Sequence, residues 1–195
     1  MTMNCILSGV GGQGTILASK LLSQAAMNKG LAVRTAETIG MAQRGGCVVS
    51  HVRFGEEIYS PMVPLHCADI IIGFEPAEAV RCLPYLKKDG IVVVSQKAVM
   101  PVTASLGKGS YEPSDMLDFL KKNVKTLVIV DGEEICAQCG SSKVLNVALL
   151  GAACATGALG LTLEEIHTAI SGRVAPQFIE MNTQALAAGA NAAAQ

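Results

Sequence analysis

Residues 9–14 read Gly9-Val-Gly-Gly-Gln-Gly14 and follow directly on the apolar run Met3–Leu7. Glycines at 9, 11, 12 and 14 allow backbone conformations that a Cβ forbids, so a strand can turn sharply into a helix here. The pattern is G-x-G-x-x-G between a strand and a helix. It opens a βαβ unit and leaves backbone N–H groups at a helix N-terminus, where an anion binds. The helix is predicted over Gln13–Asn28, with Leu17, Leu21 and Ala25 stacked four apart and Gly30 placed to end it. Strand Leu31–Ala36 completes the unit.

The segments that follow alternate between the two periods. Cys47–Phe54 alternates as a strand, with Val48, Ser50, Val52 and Phe54 on one face and Cys47, Val49, His51 and Arg53 on the other. Gly55-Glu56 reads as a hairpin turn and Glu57–Ser60 as its return strand, which makes a β-ribbon closed by Pro61 and Pro64. Strands are predicted at Ala68–Phe74, Gly90–Ser95 and Thr126–Asp131, and helices at Pro76–Leu86 and Ser114–Asn123. From about Val144 the chain is predicted helical. Thr162 stands as an N-cap with Glu165 at the capping-box position. The Ala-rich tail Ala185–Gln195 reads as a helix end or a frayed terminus. The expectation is one α/β domain over residues 1–195. Its sheet is Rossmann-like and mostly parallel, with an inserted β-ribbon and a helical C-terminal part.

Composition narrows the function. Half the residues are apolar and only seven are Phe or Tyr, with no Trp, so the core is aliphatic. The net charge is −1 and no Lys/Arg run exceeds two residues, which argues against nucleic-acid binding by phosphate neutralisation. The apolar start runs straight into the glycine turn with no charged leader, and no apolar stretch is an uninterrupted membrane span. Val144–Leu161 comes nearest, but Asn146, three glycines and a Thr interrupt it. It reads as a small-residue helix packed inside a protein or a complex. Seven scattered cysteines point to reduced thiols and a cytoplasmic location.

The candidate site gathers where strands end. Gly9, Gly11, Gly12, Gln13 and Gly14 form either an anion cradle or a packing turn. Glu37 ends the second strand, about where an acid would grip a ribose, which leaves an NAD(P)-binding protein open. Arg44, Gly45 and Gly46 set a guanidinium beside free backbone N–H groups, a fork suited to a phosphate or a partner's carboxylate. His51 and Arg53 share a strand face two residues apart. Cys136-Ala-Gln-Cys139 is a lone C-x-x-C with no second ligand pair, so neither a metal nor an iron–sulfur cluster is expected on this chain. G-x-S-x-G, Walker A and H-E-x-x-H motifs are absent, and no catalytic residue is assigned.

Several blocks together resemble one family over nearly the whole chain: Ser8–Gly14, Glu37-Thr-Ile-Gly-Met-Ala-Gln-Arg-Gly-Gly46, Val49–Gly55, Tyr59-Ser-Pro61, Ala68-Asp69, Glu75–Arg81 and Asn146–Gly151. They resemble the gamma-type subunits of the 2-oxoacid:ferredoxin oxidoreductases, and among these the indolepyruvate type. The resemblance implies a subunit of a complex that oxidatively decarboxylates an aryl 2-oxoacid to an acyl-CoA and reduces ferredoxin. It also implies that thiamine diphosphate, magnesium and [4Fe–4S] clusters belong to a large alpha subunit, with CoA as co-substrate and no cofactor bound by this chain. On this expectation Glu37–Gly46, His51 and Arg53 line the interface near the partner's active site. The helical surface Val144–Leu161 would pack against that partner. Cys136 and Cys139 carry no role from the family.

Overall fold

The computed structural model describes residues 2–39, 46–100 and 112–194. Among these residues six strands form one sheet: β1 (Met3–Val10), β2 (Ala32–Ile39), β3 (Cys47–Gly55), β4 (Ala68–Gly73), β5 (Leu86–Ser95) and β6 (Thr126–Val130). Seven α-helices of the described residues surround it: α1 (Thr15–Asn28), α2 (Pro76–Cys82), α3 (Pro113–Asn123), α4 (Gly132–Gln138), α5 (Leu145–Ala155), α6 (Leu163–Arg173) and α7 (Pro176–Ala193). The strand order is β2-β3-β1-β4-β5-β6. β1, β4, β5 and β6 run parallel, as the alternating strand and helix periods required.

The expected α/β sheet with a parallel majority is present, and the ribbon is where the detail differs. Cys47–Gly55 does not fold back on Glu57–Ser60, which forms no strand. It inserts between β1 and β2 and runs antiparallel to both, pairing Val10 with Cys47 and Ile39 with Val48. The physical reason is burial. Val52 and Phe54 reach the core under α1 while Val49 packs on the opposite face, so the strand needs partners on both sides. The strand expected at Gly90 begins at Leu86, and the helix expected to reach Leu86 ends at Cys82 with one 3₁₀ turn over Leu83–Tyr85.

Alternation along the strands splits the core in two. Leu7, Ile70, Ile72 and Val93 face α1 and α5. Ile6, Ile71, Val92 and Val94 face α2 and α3. Helix α5 is buried from Leu145 to Cys154. Its small residues do not form an outer surface for a partner. They pack against α7 of the same chain, closely enough that a Cβ added at Gly151 would lie 2.0 Å from the Leu186 carbonyl oxygen, and one at Gly189 1.9 Å from that of Ala148. The Ala-rich tail is accordingly helical to Ala193, with Ala185, Leu186 and Ala190 buried. Thr162 and Glu165 form the anticipated capping box of α6.

Candidate functional site

The chain leaves β1 through α1 towards β2 on one face, and leaves β4 through α2 towards β5 on the other. β1 and β4 are neighbours, so the crevice beyond their carboxyl ends is the topological switch point of the sheet, where ligands of such sheets bind. Gly9–Gly14 lies there. Gly12 and Gly14 take φ values of 100° and 83°, in the left-handed region that favours glycine. Gly14 is the N-cap of α1 without any side-chain cap, and no acid occupies the first helical turn. The dipole of a fourteen-residue helix therefore points at the turn without a built-in counter-charge.

Gln13 holds this corner. Its Oε1 accepts from the Val10 amide at 2.8 Å and its Nε2 donates to the Phe74 carbonyl at 3.0 Å, so one side chain bridges the ends of β1 and β4. The Phe74 amide in turn donates to the Ser8 carbonyl at 2.7 Å. A Cβ at Gly9 would fall 2.8 Å from both Gln13 Oε1 and Phe74 Cβ, which explains a glycine there by packing alone. Among the described residues nothing stands within 4 Å of a Cβ at Gly12. A cleft of about 350 Å³ opens beside it, lined by Val10, Gly11, Gly12, Gly14, Thr15 and Val48.

The Gly11 amide donates to the Gly46 carbonyl at 2.8 Å. This bond brings the end of the second motif against the first. Arg44 and Gly45 lie outside the described residues. Glu37 sits near the end of β2, with its carboxylate accepting from Ser19 Oγ of α1 at 3.0 Å. It thus braces the flank of α1.

His51 and Arg53 are not brought to this edge. Because β3 runs antiparallel to β1, His51 pairs with Ile6 and Arg53 with Asn4, progressively farther from the turn. His51 is buried, its Nδ1 accepts from the Val63 amide at 3.2 Å, and its ring meets Tyr85 edge-on at 5.3 Å. Burial lowers its pKa. Arg53 donates through Nε to Asn4 Oδ1 at 2.7 Å and through a terminal nitrogen to the carbonyls of Ser60 and Met62. It organises the loop after β3 at the amino edge of the sheet. The hairpin misassignment caused both misplacements, since a ribbon leaving the sheet carried no information on direction.

Two features escaped the sequence reading. Asn146, buried in α5, packs under Gly14, where an added Cβ would stand 2.9 Å from its Nδ2. The signal was an amide inside an apolar run. Helix α4 was also missed, although Asp131 caps it through the Glu134 amide at 3.0 Å. Between α4 and the start of α5 a second cleft, of about 360 Å³, opens at the carboxyl ends of β5 and β6, lined among others by Lys97, Gly132, Cys136 and Ser141. Among the described residues no three His, Cys, Asp or Glu side chains form a metal-ligating group, and no helix is long and apolar enough to cross a membrane.

Residues 4–192 match the family described as pyruvate ferredoxin/flavodoxin oxidoreductase. Indolepyruvate oxidoreductase subunit IorB of Thermococcus kodakarensis is 40% identical over 195 residues, spanning 97% of this chain and 95% of the relative. The pyruvate/ketoisovalerate oxidoreductases common subunit gamma of Pyrococcus abyssi is 29% identical over 180 residues, spanning 91% and 89%. The crystal structure of a keto/oxoacid ferredoxin oxidoreductase gamma subunit from Geobacter sulfurreducens shares the fold, with a TM-score of 0.74 at 23% identity over 100% of this chain and 97% of that one. Together with the glycine turn, the strand order and the full-length match, these likenesses settle its membership: the chain belongs to the pyruvate ferredoxin/flavodoxin oxidoreductase family.

Proposed function

We propose that residues 1–195 act as a single gamma-type domain, the subunit without thiamine or clusters in an indolepyruvate- or aryl-pyruvate-specific ferredoxin oxidoreductase. The complex would convert an aryl 2-oxoacid and CoA to the acyl-CoA and carbon dioxide, with electrons passed to ferredoxin. Thiamine diphosphate, magnesium and [4Fe–4S] clusters would reside in a large alpha subunit. The observation that carries this reading is the identity to the indolepyruvate relative, 40% against 29% for the pyruvate/ketoisovalerate one, at nearly full coverage of each.

The geometry supports a role at the carboxyl edge. Gly11, Gly12 and Gly14 offer an uncapped helix N-terminus beside an open cleft, a setting that favours an anion such as a CoA phosphate or a partner's carboxylate. Gly46 is tied to that turn, so Arg44 and Gly45 belong to the segment joining it to β2. Gln13 and Glu37 hold the turn and α1 in place. His51 and Arg53 are assigned to scaffolding. A free-standing NAD(P)-binding protein is not favoured: Gln13 spans the crevice between β1 and β4, and Glu37 is engaged by Ser19.

The test is anaerobic co-purification of the tagged chain, with reduction of a viologen dye as the readout. Aryl 2-oxoacid- and CoA-dependent activity, several-fold above that with pyruvate, is the expected result. Equal or greater activity with pyruvate would overturn the substrate assignment. No iron-containing partner together with calorimetric saturation by NAD would overturn the whole reading. Arg44→Ala in the active complex is expected to raise the KM for CoA without loss of assembly.

A further inference from the structure

The C-x-x-C of α4 takes no part in the proposed function. We propose that Cys136 and Cys139 form an oxidation site, at which a hydroperoxide converts the two thiols to an intramolecular disulfide.

Geometry places the sulfurs for this reaction. Cys139 is the C-cap of α4 with φ −82° and ψ −5°, so the helical trace runs through it. Cysteines three apart on such a trace have Cα atoms about 5 Å apart, within the roughly 4.4–6.8 Å that a disulfide spans. Both cysteines are half-buried free thiols, and both pack on the same large core beneath α4, so their side chains leave the same side of the helix. Cys136 also lines the 360 Å³ cleft with Lys97 and Ser141, which gives a small oxidant a route to the sulfur. The amide of Leu145, the first residue of α5, donates to that sulfur, and Lys97 lies near enough to favour its thiolate. Of the other five cysteines, Cys5, Cys82 and Cys154 are buried, while Cys47 and Cys67 are exposed.

The balance is that of a two-electron oxidation. The Cys136 thiolate attacks one oxygen of the hydroperoxide and the O–O bond breaks. A sulfenic acid forms, and water or an alcohol departs. The Cys139 thiolate then attacks the oxidised sulfur, the S–O bond breaks, and hydroxide leaves to become water. Two thiols lose two electrons and two protons, and the hydroperoxide gains them. Burial, the neighbouring Cys139 and Glu133 raise the Cys136 pKa against the opposing pull of Lys97 and the Leu145 amide. A raised pKa lowers the thiolate fraction and slows the first attack.

The test treats the purified protein, in its complex, with hydrogen peroxide, quenches with N-ethylmaleimide and digests with trypsin. The peptide Thr126–Lys143 holds both cysteines. It is expected to lose both maleimide labels and two hydrogens, and to regain the labels after dithiothreitol. Cys139→Ser should abolish the loss of two hydrogens. If the wild-type peptide keeps both labels after Cys47 and Cys67 have been consumed, or if either cysteine bridges to a different thiol, the proposal is overturned.

Discussion

The contact between α5 and α7 gives the sharpest energetic prediction. A Cβ at Gly189 would sit 1.9 Å from the Ala148 carbonyl oxygen, whereas real Cβ atoms essentially never approach nearer than 3.0 Å. The atom it meets is backbone, so no side-chain rotation relieves the clash. Gly189→Ala must drive the helices apart by about 1.1 Å, a gap that forfeits a quarter to a half of the dispersion well of each contact across the seam. Overpacking of this kind costs about 1–3 kcal/mol and sometimes more, against a gain of about 1 kcal/mol from Ala's helix propensity. Because α5 is buried along its first ten residues, the displacement spreads to the sheet and the cost falls at the upper end of that range, so a net loss of about 2 kcal/mol is expected. For a chain of this size that is a fall of roughly 4–8 °C in Tm. Urea unfolding followed by circular dichroism measures it. Gly172→Ala in α6, with nothing among the described residues within 4 Å of the new methyl, is the control and should be neutral or stabilising by up to about 1 kcal/mol. Gly151→Ala demands the same separation of the same helices. The double variant should therefore cost about 1–2 kcal/mol less than the sum of the single ones. A Gly189→Ala chain as stable as the parent would refute the close-packing argument, and strict additivity would refute the shared displacement.

Other outcomes follow from the same geometry. Gln13→Ala strands the Val10 amide and the Phe74 carbonyl and should cost about 2 kcal/mol by urea unfolding, with a raised KM for CoA in the active complex. His51 binds its proton less readily folded than unfolded, so the unfolded state holds more protons as pH falls through the unfolded value of about 6.5 and stability drops there. His51→Gln should flatten the stability profile between pH 7 and 5, and an unchanged slope would exclude His51 as its source. Thr162→Ala removes the hydroxyl that accepts from the Glu165 amide and should cost about 1 kcal/mol in thermal melts.

The parallel half of the sheet was legible because each of its strands is a short apolar run bounded by a helix signal. The glycine turn, the capping box and the end of α1 were legible because each follows from local backbone chemistry. The placement of β3 was not. Alternation at Cys47–Phe54 shows that two faces differ, but it does not say which strands flank them, since pairing is decided by distant segments. From that one error His51 and Arg53 were drawn to the wrong edge. The partner of α5 was hidden for a similar reason. A small-residue stripe announces close packing without naming the opposite surface, which proved to be the chain's own tail.

The insertion of β3 ties the fate of two strands together. Among the described residues β2 pairs with no strand but β3, and the segment joining them ends at Gly46, bonded to the glycine turn. Opening at Gly46 therefore frees one end of a two-strand unit that reaches to Ala32 and Gly55 at the far side of the sheet. Whatever grips residues 37–46 acts as a clasp on that unit. Its binding should be written in slower hydrogen exchange along the whole length of β2, far beyond any residue it touches.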